Sequence, residues 1–226
     1  MSADFTDIKA IFFDTSDTLY KNKALEEAYP ARLVRMIAES KGLRIEQAEQ
    51  LLIGTTEKLK STEKHVTKIR AAKELGFSPE QVYELAFDKV VPSEFLVKDE
   101  ALGAVITELA QHYNLGIISN LKKAHVIKVI DALGLSVDSF KYLITLDIVQ
   151  EIKPAAEPFL KAIELAGCEA AECLYVGDSP TKDILPAKEV GMKTVLVADN
   201  PSSEDTLNAD ASISDVKDIT HLAFRL

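Results

Sequence analysis

Residues 11–20 read IFFDTSDTLY, and within them an apolar run stops at the carboxylate of Asp14. This pattern is typical of a buried parallel strand that is followed by a polar turn. Side chains of a strand alternate between its two faces, so we expect Ser16 on the same face as Asp14. A carboxylate at that position would form an acid/base partner, and Asp17, on the opposite face, cannot replace it. The segment therefore predicts a strand that ends at a carboxylate, with Ser16 in the partner's place.

The composition is that of a globular protein. The chain has 226 residues, 47% of them hydrophobic, which suffices for one domain or for a core domain with a smaller insert. Its two cysteines, Cys168 and Cys173, are interpreted as small buried side chains because no second Cys/His cluster accompanies them. No apolar stretch reaches the roughly 18 residues of a membrane helix, and the chain begins with polar and acidic residues, so we expect a cytoplasmic protein.

The charge argues against a nucleic-acid partner. The formal net charge is −10, which repels phosphate backbones. The lysine-rich stretch 58–73 is interrupted by Glu63 and by apolar residues, and we interpret it as the solvated face of one amphipathic helix. Neither a nucleic acid nor a membrane is predicted as a partner, and the oligomeric state stays open.

Residues 22–95 carry a helical pattern without a strand signal, and Ser78 and Pro79 predict a further helix that runs to Phe87. From Asp99 onward, helices alternate with short apolar runs. The predicted strands are 115–119, 142–145, 174–176 and 194–197. The predicted helices run to His112 and over 124–133 and 157–166. This alternation predicts an α/β fold with a parallel sheet and helices on both faces.

Ligands of such a sheet bind at the carboxyl ends of its strands, and polar residues fall there in this chain. Besides the opening segment, three motifs follow in this order: GIISN at 116–120, EIKP at 151–154 and YVGDSPTKD at 175–183. With them the chain resembles, over nearly its whole length, the haloacid dehalogenase (HAD) superfamily. Its members carry a strand-ending Asp-x-Asp-x-Thr, a strand-ending Ser or Thr, a Lys, and an acidic Gly-Asp-x-x-x-x-Asp loop.

The resemblance is to the phosphatase/nucleotidase-like branch with a helical, C1-type cap. It implies a Rossmann-like, three-layer core with a parallel sheet, formed by residues 1–20 and 96–226, and an inserted α-helical cap domain, residues 21–95. The implied substrate is a small phosphorylated metabolite. Polar candidates for selecting it are Tyr20, Lys21, Asn22, His65 and Lys68.

The resemblance also implies a role for each motif. Asp14 is the nucleophile, which attacks phosphorus in line and forms an aspartyl-phosphate. Mg²⁺ offsets the repulsion between this carboxylate and the phosphate. The implied metal ligands are the carboxylate of Asp14, the backbone carbonyl of Ser16, Asp178 and Asp183, the last directly or through water. The implied phosphate contacts are Thr15, Ser119, Asn120 and Lys153.

Each motif alone has an ordinary structural interpretation as well. Ser119 is typical of a turn after a strand, and Asn120 fits a helix N-terminus equally well. A lysine before a proline, such as Lys153, usually faces solvent. Asp178 or Ser179 taken alone predicts a helix cap. Four motifs in the order of one family favour the active-site interpretation.

Ser16 departs from the family pattern. In the phosphatases of the family, the second Asp of the first motif protonates the leaving oxygen and later activates water, which is worth about 10²–10⁴-fold. Serine has no useful pKa for either task, so Ser16 or a bound water would relay protons poorly.

Three functions remain open from the sequence. The first is a Mg²⁺-dependent phosphatase or phosphotransferase with low activity, best on substrates with good leaving groups. The second is a 2-haloacid dehalogenase, since those relatives also lack the second Asp, although they need no metal. The third is a non-catalytic protein of the HAD fold that binds a phosphorylated ligand or a partner protein.

Overall fold

The computed structural model describes residues 4–63 and 66–222. These described residues form two compact units, one drawn from Met1–Asn22 with Leu96–Leu226 and the other from Lys23–Phe95. We call them the core unit and the helical unit. His65, one of the candidates for substrate selection, lies outside the described residues.

The core unit contains a parallel sheet of six strands in the order β3-β2-β1-β4-β5-β6. The strands are β1 (Ala10–Phe13), β2 (Asn114–Ile118), β3 (Tyr142–Ile144), β4 (Cys173–Gly177), β5 (Lys193–Val197) and β6 (Ala211–Ile213). In the register, Phe13 of β1 lies beside Ile117 of β2 and Val176 of β4. The prediction of an α/β, Rossmann-like fold is confirmed. Strand β6 has three half-buried residues, which is too short a run to give a sequence pattern.

The helical unit contains the four helices α1 (Lys23–Lys41), α2 (Ile45–Lys60), α3 (Lys68–Glu74) and α4 (Pro79–Leu85). Helix α4 begins as predicted, because Ser78 and Gln81 form reciprocal side-chain to backbone hydrogen bonds. It ends at Leu85, and a short 3₁₀ turn follows. The interpretation of 58–73 as one amphipathic helix is wrong, since α2 ends at Lys60 and α3 begins at Lys68.

The remaining helices belong to the core unit: α5 (Glu100–His112), α6 (Lys123–Ala132), α7 (Glu157–Ala166), α8 (Leu185–Glu189) and α9 (Ser203–Asn208). All four side chains of β1 are buried, as expected for a central parallel strand that is covered on both faces. Cys173 is buried at the start of β4 and Cys168 is half-buried, both as free thiols. None of the described helices is long and apolar enough to cross a membrane.

Candidate active site

The predicted site residues follow neighbouring strands of the sheet. Asp14 comes directly after β1, Ser119 after β2 and Asp178 after β4, and β1 lies between the other two strands. The backbone N–H of Asp14 donates to the carbonyl of Val176 at 2.9 Å, and that of Ser119 donates to Ile144 at 2.9 Å. The sheet hydrogen bonding therefore holds the ends of these strands side by side.

Lys153 lies at the centre of a buried polar cluster. Its Nζ is 2.8 Å from Oδ1 of Asp14, 2.7 Å from Oδ1 of Asp183 and 2.8 Å from the hydroxyl of Tyr175. The side chain is 4% exposed. Each of the three ammonium protons thus has an acceptor, and the interpretation of Lys153 as a solvent-facing side chain is wrong.

Asn120 holds the backbone of Lys153. Its Nδ2 donates to the Lys153 carbonyl at 3.1 Å, and its Oδ1 accepts from the Lys153 N–H at 3.0 Å. Helix α6 begins at Lys123, whose N–H donates instead to Asp147, so the interpretation of Asn120 as a helix cap is wrong. A contact of Asn120 with phosphate stays a prediction.

The acidic loop after β4 begins with a π-helical turn, Pro180–Ile184. Ser179 caps this turn, because its Oγ accepts from the Lys182 N–H. Its own N–H donates to Oδ2 of Asp183 at 3.1 Å. Asp183 also accepts from Lys153 at 2.7 Å and from the hydroxyl of Tyr175 at 2.9 Å. Its side chain is 2% exposed. Asp183 is therefore held at both oxygens, and of the two cap candidates Ser179 fills the role.

Three carboxylates come together at this edge of the sheet. Oxygens of Asp14, Asp178 and Asp183 all lie within 4.8 Å of one another. Burial, together with the charges of Asp183 and Asp14, raises the pKa of Asp178 from 3.8 to about 7. Burial raises the pKa of Asp14 as well, although Lys153 opposes the shift. The cluster carries more negative charge than Lys153 balances, and a hard divalent cation would relieve it.

Burial alone would lower the pKa of Lys153, but the charges of Asp14 and Asp183 more than offset this effect. The pKa of Lys153 therefore lies above its ordinary value of 10.5, and the side chain is an ammonium ion at neutral pH.

Thr15 directly follows Asp14, and Ser119 directly follows the neighbouring strand β2. Their oxygens are 3.1 Å apart, and both residues are buried. A hydroxyl can both donate and accept, so the pair can turn its protons toward an anion.

Ser16 does not continue strand β1, which ends at Phe13. The chain turns here: the N–H of Leu19 donates to the Thr15 carbonyl, and exposed Asp17 has a left-handed φ of 55°. The expectation that Ser16 shares a strand face with Asp14 is therefore wrong. The hydroxyl of Ser16 lies 2.9 Å from that of Tyr20.

Two of the proposed selectors of substrate have partners within the core unit. Tyr20 is buried and contacts Ser16, and Lys21 forms an ion pair with Asp199 at 2.9 Å. In the helical unit, partial burial lowers the pKa of Lys68. A role for these residues in substrate selection stays a prediction.

Tyr175 is the contributor that the sequence reasoning missed. It occupies the middle of β4, where its neighbours Leu174 and Val176 are apolar and equally buried. A tyrosine in a fully buried strand needs a partner for its hydroxyl, and this is the signal that could have found it.

Comparison with known proteins matches residues 8–191 to the family described as haloacid dehalogenase-like hydrolase. The chain therefore belongs to the haloacid dehalogenase-like hydrolases, and the predicted family is confirmed. The glyceraldehyde 3-phosphate phosphatase of Pyrococcus abyssi is 31% identical over 83% of this chain and 80% of its own length. The pyrophosphatase PpaX of Bacillus velezensis is 29% identical over 61% of this chain and 64% of its own length.

Solved structures share the fold. A HAD phosphatase from Thermococcus onnurineus superposes with a TM-score of 0.71 at 23% identity, covering 95% of this chain and 97% of that one. A 2-haloacid dehalogenase from Pseudomonas syringae pv. Tomato gives a TM-score of 0.65 at 22% identity, with coverage of 95% and 97%. Because both hydrolase types share this architecture, the fold does not choose between them.

Proposed function

We propose that the chain is a Mg²⁺-dependent phosphatase or phosphotransferase that acts on a small phosphorylated metabolite. The observation that carries the proposal is the convergence of the carboxylates of Asp14, Asp178 and Asp183 beside the ammonium of Lys153. A nucleophilic carboxylate, oxygen ligands for a cation and a positive side chain are the groups that phosphoryl transfer uses. The names of the two relatives, a phosphatase and a pyrophosphatase, support this reaction class.

The carboxylate cluster fits Mg²⁺, which prefers oxygen ligands. Asp14 and Asp178 would bind it through their carboxylates, and the carbonyl of Ser16 would add a neutral ligand. The two oxygens of Asp183 already accept three hydrogen bonds, which leaves one lone pair for the cation or for a bound water. When bound, Mg²⁺ would neutralise charge between the nucleophile and the phosphate.

In the proposed reaction, an oxygen of Asp14 attacks phosphorus while the bond to the leaving oxygen breaks. The product is an aspartyl-phosphate, and water, or an acceptor hydroxyl in a phosphotransferase, then attacks the same phosphorus and restores Asp14. Lys153 orients Asp14 through Oδ1 and offsets its charge. Thr15 and Ser119 would donate their hydroxyl protons to phosphate oxygens.

Ser16 restricts the substrate. An alkoxide leaving group needs a proton that serine supplies poorly, whereas an acyl, aryl or phosphate leaving group departs as a stable anion. We therefore place the best substrates among acyl phosphates, aryl phosphates and phosphoanhydrides. The similarity to a pyrophosphatase supports this choice, because pyrophosphate cleavage releases phosphate.

We also propose that residues 21–95 form a cap domain, as in C1-type relatives. The helical unit, Lys23–Phe95, supports this division because it is compact by itself. The cytoplasmic location stays a prediction.

A dehalogenase is the weaker candidate. Halide leaves without a proton, which suits Ser16, but a dehalogenase needs no metal, and this chain keeps both Asp178 and Asp183 beside Asp14. The third candidate is a protein that binds a phosphorylated ligand without turnover. The only observation that favours it is the serine at position 16 in place of an acid/base aspartate.

The test measures hydrolysis of acetyl phosphate and p-nitrophenyl phosphate with Mg²⁺ and with a chelator. We expect turnover that requires Mg²⁺ and that Asp14→Asn abolishes. Asp17→Asn is the matched control: it removes an exposed carboxylate of the same loop, and asparagine tolerates the left-handed backbone there.

Other outcomes would support the alternatives. Release of chloride from 2-chloropropionate without metal would indicate a dehalogenase. Phosphate binding without turnover of any substrate in a broad panel would indicate a binding protein. A rate that is the same in Asp14→Asn would overturn the proposed nucleophile.

A further inference from the structure

We infer that Tyr175 is a positioning residue, whose hydroxyl fixes the Lys153 ammonium between Asp14 and Asp183. The inference rests on the proposed function, in which Lys153 orients the nucleophile. Tyr175 touches neither the substrate nor Asp14 in this assignment, and it acts through Lys153.

The hydroxyl of Tyr175 closes a ring of hydrogen bonds. It lies 2.8 Å from Nζ of Lys153 and 2.9 Å from Oδ1 of Asp183, and these two atoms are 2.7 Å apart. An ammonium group only donates and a carboxylate only accepts. The Tyr175 oxygen must therefore accept from Lys153 and donate its own proton to Asp183, which fixes the direction of both bonds.

Lys153 depends on this oxygen for its third acceptor. Its other two protons go to Asp14 and Asp183, so without the hydroxyl the third proton would have no acceptor among these contacts. A lysine side chain has four rotatable methylene groups and is a flexible point charge. Losing one of three partners lets Nζ shift toward Asp183 or away from Asp14, and the orientation of the nucleophile changes with it.

Tyr175 is itself rigid. The residue is fully buried in the centre of β4, beside Phe12 of β1 in the register. Its ring packs edge-on against Phe159, with ring centroids 5.0 Å apart. The sheet and this packing fix the ring, so the position of the hydroxyl is set by the core and not by the site.

The test compares Tyr175→Phe with wild type in Mg²⁺-dependent hydrolysis of acetyl phosphate. Phenylalanine keeps the ring and its packing and removes only the hydroxyl. Hydrogen bonds to charged groups are the strong ones, so we expect kcat to fall about tenfold. KM is expected to stay within about twofold, because the hydroxyl does not contact substrate.

The matched control is Tyr142→Phe, which removes a tyrosine hydroxyl from a neighbouring part of the same sheet. Tyr142 is half-buried in β3 and stacks on Phe12, away from the Lys153 contacts. We expect kcat and KM of this variant to match wild type. A loss of kcat that is equal in both variants, or a change confined to KM, would overturn the inference.

A second measurement does not need turnover. The ammonium protons of Lys153, assigned by their absence in Lys153→Met, are expected to exchange slowly with water in ¹⁵N NMR spectra because all three are bonded. In Tyr175→Phe we expect this exchange to accelerate by about tenfold or more. Unchanged exchange in Tyr175→Phe would overturn the inference. If wild type has no phosphatase activity but the Lys153 protons still exchange faster in Tyr175→Phe, only the proposed function is overturned.

Discussion

Ser16 determines how well the leaving oxygen is protonated in the proposed reaction. Its hydroxyl contacts the hydroxyl of Tyr20 at 2.9 Å, so a side chain at this position meets a group that can donate or accept a hydrogen bond. A carboxylate placed there would accept from Tyr20 and could transfer a proton, which the serine hydroxyl does poorly.

Ser16→Asp is therefore expected to raise the Mg²⁺-dependent hydrolysis of alkyl phosphates by about 10²–10⁴-fold. The gain in kcat/KM, which reports the first transfer step, is expected to be much smaller for p-nitrophenyl phosphate, because its leaving group departs without a proton. Steady-state rates on a matched pair of alkyl and aryl phosphates check this difference.

Ser16→Asn is the control for shape, since asparagine has the size of aspartate and the same capacity to accept from Tyr20. It cannot supply or remove a proton, and we expect alkyl phosphate hydrolysis to stay at the wild-type rate. Equal gains in both variants would show that size, and not proton transfer, limits the reaction.

At the scale of the element, the end of β4 brings two parts of the site together. Gly177 is the last residue of the strand, and a Cβ added to it would lie 2.6 Å from Cβ and 2.8 Å from Cγ of Asp183. Asp183 cannot move aside easily, because its carboxylate is bonded to Lys153, Tyr175 and Ser179. Glycine is required here for close approach of the loop to the strand.

We expect Gly177→Ala to destabilise the protein by about 1–3 kcal/mol and to weaken the stabilisation by Mg²⁺. Urea unfolding with and without Mg²⁺ measures both effects. Gly54→Ala is the control with the opposite sign: Gly54 lies inside α2, nothing stands within 4 Å of its added Cβ, and alanine is expected to stabilise by about 0.5–1 kcal/mol. A neutral Gly177→Ala would contradict the packing argument.

Elements with strong local signals could be predicted from the sequence, and those that depend on distant contacts could not. Strands β1, β2 and β4 are apolar runs that stop at Asp14, Ser119 and Asp178, and the alternation of helices with such runs predicted that they lie in one parallel sheet. The burial of Lys153 and its contact with Asn120 depend on residues 33 positions apart, which no local pattern encodes. The break between α2 and α3 was missed because lysines and apolar residues continue across it.

At the scale of the whole molecule, the acidic cluster links stability to pH. The pKa of Asp178 is raised from 3.8 to about 7 in the folded protein, so between these values the folded state holds a proton that the unfolded chain has lost. In the metal-free protein this contribution to stability is complete below pH 4 and is lost as pH rises through 7. The net charge of −10 adds repulsion within the folded protein, which also lowers its stability as pH rises.

Asp178→Asn isolates the contribution of this carboxylate. Below pH 4 we expect the metal-free variant and wild type to have similar free energies of unfolding, and at pH 8 we expect the variant to be more stable. The difference is about 1 kcal/mol, because partial exposure of Asp178 screens its interactions. The chain has no tryptophan, so urea unfolding is best followed by circular dichroism.

With Mg²⁺ bound, we expect wild type to be more stable than Asp178→Asn at pH 8, the reverse of the order without metal. A bound cation requires the ionised carboxylate, so affinity rises with pH up to about 7 and then levels. At 100 times its Kd, Mg²⁺ stabilises wild type by about 2.7 kcal/mol, and Asp178→Asn is expected to lose most of this gain. Asp17→Asn removes an exposed charge near the cluster, and this variant is expected to keep the stabilisation by Mg²⁺. Parallel pH curves for wild type and Asp178→Asn, unaffected by Mg²⁺, would contradict both the raised pKa and the proposed cation site, because each depends on the same carboxylate facing Asp14 and Asp183.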